Sequence, residues 1–148
     1  MIRNAVFDDI PVLAEFEREI SAISFGDEAV TDINHHITRL KKSMEKTAGG
    51  MFVLENGVTI NGWLWMDIKT NFLTEEKYVN FRSFYLTENI RGTAEGDELL
   101  THGLNWCREN NVRRVVGKVH SRNLPMRALY KKAGFEATHV TMEFDFYD

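Results

Sequence analysis

The chain has a single cysteine, Cys107, so it can form no internal disulfide. A reducing compartment suits such a sequence. Basic residues are not in excess: 18 Lys and Arg stand against 22 Asp and Glu, giving a net charge of −4. That weighs against a general nucleic-acid binder, which needs a basic face to displace counterions from phosphates. No apolar run approaches the ~20 residues needed to span a bilayer. The opening MIRNAVFDDI lacks the apolar stretch of a signal peptide. Low-complexity tracts, repeats and linkers rich in Pro, Gly or Ser are also missing. Nor is there a Cys/His/Asp cluster at metal-ligand spacing: His102, His120 and His139 are scattered, and the adjacent His35 and His36 point about 100° apart on a helix. These absences predict one cytoplasmic domain over residues 1–148, with no metal, no membrane partner and no nucleic-acid partner.

What is present is enough to build a core: 43% of residues are hydrophobic and 11% aromatic. IRNAVF, residues 2–7, suits a first strand. Asp8 and Asp9 are N-cap candidates, and Pro11 fits a first helical turn, where its missing N–H costs nothing. Leu13, Phe16 and Ile20 recur at helical spacing. A second helix is predicted from Asp27 to about Lys46, its apolar stripe being Val30, Ile33, Ile37, Leu40 and Met44. Asn56-Gly57 between MFVLE and TINGWLWMDI is a hairpin signal, since both residues tolerate positive φ. YVNFRSFYL, 78–86, is the richest strand. A glycine-bearing turn at 91–96 opens a helix to about Asn110, and VRRVVGKVH, 112–120, is a further strand. Asn123 to Lys132 reads as a short helix, and FEATHVTMEFDF as one or two final strands. The predicted order is β-α-α-β-β-β-α-β-α-β. Residues 78–120 form a βαβ unit whose two strands should be parallel. The fold class is α/β (α+β), a mixed, mostly antiparallel sheet with helices on both faces.

Two segments carry chemistry. RGTAEGDELL, from Arg91 to Leu100, passes from a strand into a helix. Unpaired N–H groups and the helix dipole make such a turn receptive to anions, and Gly92 and Gly96 permit close backbone approach. NLPMRALYKKAGF, 123–135, offers Asn123 as a cap and Tyr130 two turns later on the same face. Together, Arg91, Gly96, Asn123, Leu129, Tyr130, Lys132, Gly134 and Phe135 fall where the GNAT superfamily of N-acetyltransferases carries its pyrophosphate loop and its Asn-to-Gly-Phe segment. The strand order resembles that family from end to end.

The resemblance implies acetyl-CoA as the donor and a primary amine, of a small molecule or a protein, as the acceptor. It implies that Phe84, Tyr85 and Leu86 offer backbone groups to the pantetheine, and that one of those N–H groups polarises the thioester carbonyl. Arg91, Gly92, Thr93, Ala94, Glu95, Gly96 and Asp97 would surround the pyrophosphate, with Asn123 and Lys132 completing the cofactor site. A neutral amine would attack the thioester directly through a tetrahedral intermediate. The leaving thiolate, of thiol pKa ~8.5, needs a proton, and Tyr130 is the candidate general acid. His120 is the candidate base, having a suitable intrinsic pKa, beside a water relay. Dimers are common in the family, and VTMEFDF could pair across an interface of a homodimer.

The sequence departs from the family in three places. Ala94 replaces a loop glycine, which is costly only if that position has positive φ. Residues 91–98 carry Glu95, Asp97 and Glu98 against Arg91 alone, so the loop should hold its cofactor less tightly than a basic one. Met126 replaces a frequent alanine and would reshape the acyl pocket, leaving a larger acyl group open. The alternative reading is a catalytically weak or inactive acyl-CoA-binding module of the same fold that acts through a partner. Of the remaining residues, Trp63 and Trp65 read as core, with a cation-binding wall as the alternative. Cys107 reads as inert. Glu15, Glu17 and Glu19 read as a solvated helix face, and Ser21, Ser24, Phe25 and Asp27 as candidates near the acceptor.

Overall fold

The computed structural model describes residues 1–46 and 49–147. Contacts divide it into two units, Met1–Lys118 and Val119–Asp148. The first holds a five-stranded sheet of β1 (Ile2–Asn4), β2 (Met51–Asn56), β3 (Thr59–Thr70), β4 (Lys77–Leu86) and β5 (Arg114–Gly117), ordered as in the sequence. The first four strands are antiparallel to their neighbours, and β4 and β5 are parallel. The crossover between them is α3 (Ala94–Glu109), as the βαβ reading requires. Helices α1 (Ile10–Phe25) and α2 (Ile33–Lys46) precede the hairpin.

Side-chain alternation divides the core in two. Met51, Val53, Trp63 and Trp65 face α1 and α2, packing with Leu13, Ala14, Phe16 and Leu40. Phe52 turns to α3, meeting His102 and Trp106 edge to face, and Cys107 Sγ lies 3.6 Å from Met66 Sδ. β3 is therefore covered on both faces, and it is buried without interruption from Asn61 to Met66. Glycines let α3 lie close to the sheet. A Cβ on Gly103 would stand 2.4 Å from Leu64 Cδ2, and one on Gly96 2.6 Å from Leu86 Cδ1.

Several boundaries differ from the sequence reading. The second helix starts at Ile33, not Asp27. Residues Gly26–Glu28 form a 3-10 turn, Val30 is exposed, and the Asp32 carboxylate takes the Asn34 N–H at 3.0 Å, which starts the helix there. In the hairpin, Asn56 still pairs with Thr59, so the turn itself is Gly57-Val58, with Gly57 at φ +64°. Among the described residues FEATHVTMEFDF forms no strand, and Val140, Met142, Phe144 and Phe146 are exposed. Alternation makes a segment fit for a ladder; it does not supply the partner strand.

Two glycines of positive φ separate backbone strain from steric conflict. Gly57 has open space where a Cβ would stand, whereas a Cβ on Gly50, at φ +78°, would lie 2.2 Å from the Met66 carbonyl oxygen. Gly57→Ala should cost about 1–2 kcal/mol from left-handed strain alone. Gly50→Ala should cost roughly 3 kcal/mol or more, because the β3 backbone must move as well. Urea denaturation of the two variants checks the order; equal costs would contradict it.

The second unit contains α4 (Leu124–Lys132). Asn123 caps it, its side-chain Oδ1 accepting the Met126 N–H at 3.2 Å. The other end is a Schellman motif: the Phe135 N–H reaches the Tyr130 carbonyl at 2.9 Å and the Gly134 N–H the Lys131 carbonyl at 3.1 Å, with Gly134 at φ +94°. The apolar contact that accompanies this motif is Phe135 on the Tyr130 ring, centroids 4.8 Å apart.

Candidate active site

The site in the first unit begins with a fault in β4. Trp65 pairs with Ser83 but Met66 pairs with Phe81, so Arg82 is an extra residue, a β-bulge. Pairing with β5 ends at Phe81 and Gly117, just before it. From Arg82 to Leu86, β4 is bonded to β3 alone, and among the described residues no strand joins its other edge. Phe84, Tyr85 and Leu86 all lie in this half-open segment.

The turn after β4 leads from Leu86 through Gly92 and Thr93 into α3. Gly92 supplies positive φ, at +76°. Ala94 does not: it is the first residue of α3 and has no positive φ, so alanine is harmless there. Thr93 is the N-cap, but its hydroxyl donates to the Ile90 carbonyl at 2.6 Å and makes no capping bond. The Glu95 carboxylate accepts from Asn56 Nδ2 at 3.1 Å. Asp97 and Glu98 line a shallow hollow of about 450 Å³ with Ile2, Thr101 and His102. The acidic residues of the turn thus have surroundings of their own. Arg91 folds back, its Nε donating to the Leu86 carbonyl at 2.8 Å and its guanidinium lying 5.4 Å from the Tyr85 ring centre. Gly96 serves the approach of α3 to Leu86.

On the face towards α1 and α2, a row of polar groups follows β4. Tyr85 stacks on Phe16 at 4.5 Å and donates its phenol to Glu19. Burial, then that carboxylate, raises the phenol's pKa. Glu17 comes next. It is not on a solvated face: it is 8% exposed, accepting from Trp63 Nε1 at 3.3 Å and hydrogen-bonded to Ser83. Desolvation pushes its carboxyl above the ordinary range, with the bonds from Ser83 and Trp63 and the charges of Arg39 and His36 opposing. Glu15 is exposed and pairs with Arg18, as a solvated residue should. Glu17 was discoverable: it lies four residues after Leu13 and three before Ile20, inside the apolar stripe rather than opposite it. Farther along, Arg82 lies 4.0 Å from the Trp65 ring centre and Arg39 5.9 Å from it. Both tryptophans are core residues, and a cation does lie on one of them, supplied by the chain itself.

In the second unit, Tyr130 is partly buried, and desolvation pushes its phenol up to about 12. His120 is exposed; its Nδ1 accepts the Arg122 N–H at 3.0 Å, leaving Nε2 as the ring nitrogen outside that turn. Asn123 and Lys132 stand at the two ends of α4. Cys107, in the first unit, is buried, and desolvation moves its thiol up to about 11, which suits an inert side chain. Among the described residues no group of three or more His, Cys, Asp or Glu could hold a metal ion, and no helix is long and apolar enough to cross a membrane.

A family model, Acetyltransferase (GNAT) family, matches residues 12–135. The chain belongs to the GNAT family. The fold agrees. A possible acetyltransferase from Clostridium difficile 630 superposes with a TM-score of 0.80 at 17% identity, covering 100% of this chain and 98% of its own. An aminoglycoside antibiotic 6'-N-acetyltransferase from Acinetobacter haemolyticus gives 0.76 at 11%, covering 98% and 97%. A ribosomal-protein-alanine N-acetyltransferase from Brucella melitensis gives 0.70 at 22%, covering 92% and 84%. At these identities the likeness is one of fold. No curated protein matches the sequence. For a GNAT protein acetyl-CoA is the typical donor, and acyl transfer is the activity the family name describes.

Proposed function

We propose that this GNAT protein is an N-acetyltransferase that moves an acetyl group from acetyl-CoA to a primary amine of a small molecule or protein. The observation that carries the reading is the half-open end of β4 meeting the uncapped start of α3, held together by the Gly96–Leu86 approach. Two of the structural neighbours are named for N-acetyl transfer, which supports an amine acceptor.

Acetyl-CoA supplies the thioester. Backbone groups of Phe84, Tyr85 and Leu86 hold the pantetheine, and one N–H there receives the oxyanion as the amine attacks. Arg91 and the turn Gly92–Asp97 receive the pyrophosphate, whose charge the dipole of α3 favours. Asn123 and Lys132 hold the cofactor arm. The C–N bond forms, the C–S bond breaks, and Tyr130 gives its proton to the sulfur and regains one from solvent. The acceptor's nitrogen must lose a proton. His120 and Glu17 are the two candidate bases, and we favour Glu17. A buried carboxyl whose pKa is raised by desolvation accepts a proton more readily than an ordinary carboxylate, and its partner Ser83 adjoins Phe84.

Calorimetric titration with acetyl-CoA, beside CoA, tests the reading. Micromolar binding of both is expected. No binding up to millimolar cofactor would refute it.

A further inference from the structure

Trp65 carries two guanidinium groups of this chain, one from a bulge and one from a helix. Like charges brought to one ring oppose each other, and such an arrangement is stable only when something negative accompanies it. The chain supplies little. Asp67 is 3.5 Å from Arg82 and is shared with Lys69 at 3.2 Å. Glu17 is the other carboxylate acting on Arg82, and it is itself buried and bonded to Trp63 and Ser83. Among the described residues, Arg39, Arg82 and Lys69 thus stand with Asp67 and Glu17, three cations to two carboxylates, in a chain whose net charge is −4. Burial and the Arg39 charge both weaken the protonated form of Arg82. Neither cost is needed for packing, since an uncharged side chain could cover Trp65. Arg39 is on the exposed face of α2, so the pair can be reached from solvent.

We propose that Arg82, over the Trp65 ring, and Arg39 beside it receive an acidic group of the acceptor, so that the acceptor class is a primary amine bearing an anionic oxygen group. This rests on the acetyl-transfer reading above. The planar fork of each guanidinium suits a carboxylate or phosphate. The order of groups along β4 fits a bifunctional molecule: Arg82 lies at the bulge, Ser83 with its partner Glu17 of α1 comes next, and the Phe84–Leu86 segment last. An amine entering with its acidic end on Arg82 has its nitrogen directed towards Glu17.

The test compares matched amines as acceptors: β-alanine with propylamine, 4-aminobutyrate with butylamine, phosphoethanolamine as the phosphate arm, and putrescine as the dication. We expect kcat/KM at least about tenfold higher for the acidic members, and the better of carboxylate and phosphate identifies the group. In Arg39→Met and Arg82→Met that preference should collapse towards one, through KM for the acidic amines. Arg39→Met, at an exposed position, keeps the test valid if Arg82→Met misfolds. Equal or better use of propylamine, butylamine or putrescine would overturn the proposal, as would an unchanged preference in Arg39→Met. Binding of the same compounds is measured by calorimetry with and without CoA. 4-Aminobutyrate or phosphoethanolamine binding where butylamine does not supports the acidic-group site even without turnover, and no discrimination overturns it. Loss of CoA binding alone refutes the transfer reading instead.

Discussion

Glu17→Gln is expected to lower kcat by about 10²–10³-fold while leaving acetyl-CoA affinity unchanged. The amide keeps an oxygen to accept from Trp63 Nε1, and its NH2 can donate to the Ser83 hydroxyl, so the local packing has a near-isostere. What it loses is the ability to take a proton. His36 and Arg39 from α2, Arg82 and Ser83 from β4 and Trp63 from β3 surround the carboxyl. Its raised pKa should set the acid limb of the rate profile: activity rises with pH as Glu17 ionises, and the limb disappears in the variant. A rate within twofold of the unsubstituted protein would remove Glu17 from the mechanism. His120→Gln, measured beside it, would then show whether the imidazole takes its place.

The same substitution has a stability signature that follows from the burial of the carboxyl. A carboxyl held above its ordinary 4.5 binds its proton more tightly in the folded chain than in the unfolded one. The stabilisation is complete below the ordinary carboxyl pKa and is lost as pH rises through the raised folded value. Glutamine does not titrate, so it has no such loss. The unfolding free energy of Glu17→Gln should therefore gain on that of the parent as pH rises from about 4 to 7. A variant that becomes faster to unfold and slower to turn over by the same cause would point to packing. A variant more stable and less active points to a carboxyl kept for its chemistry.

The features legible in the sequence were those written in adjacent residues. Asn123 and Gly134-Phe135 announce both ends of α4, because caps are local. Asn56-Gly57 places the hairpin to within one residue. The βαβ unit follows from a strand, a helical stripe and a strand. Arg82 is different. Nothing in YVNFRSFYL marks it as a bulge, because the extra residue exists only relative to Trp65 and Met66 across the ladder. Yet the bulge brings Arg82 onto Trp65 beside Ser83, and β5 leaves β4 just before it. Glu17 lay between the two cases. Its place in the Leu13–Ile20 stripe is local, but a charged residue in a stripe reads as solvated until the groups that bind it are known. Ala94 shows the reverse. The sequence raised a question of backbone conformation that Thr93, as N-cap, answers by starting the helix at position 94, where the glycine was expected.

Tyr130→Phe is expected to lower kcat by one to two orders of magnitude, roughly the lower range of general acid catalysis, with little change in CoA binding. The substitution removes one oxygen and leaves the ring, so the contact with Phe135 and the end of α4 should persist. With burial pushing the phenol up to about 12, the donor stays loaded at every working pH. Tyr130 should therefore add no limb to the rate profile below about pH 11, and loss of rate in the variant should be the same at pH 6 and pH 9. That uniformity separates it from Glu17, whose contribution changes with pH. The size of the loss should also depend on the leaving group. Sulfur departs from CoA with a thiol pKa of ~8.5, whereas a more acidic aryl thioester needs less help from a proton donor. With an aryl thioester as acetyl donor, the penalty of Tyr130→Phe should shrink. An equal penalty for both donors would mean that Tyr130 positions the site rather than protonating the sulfur, and an unchanged rate with acetyl-CoA would remove it from the reaction altogether.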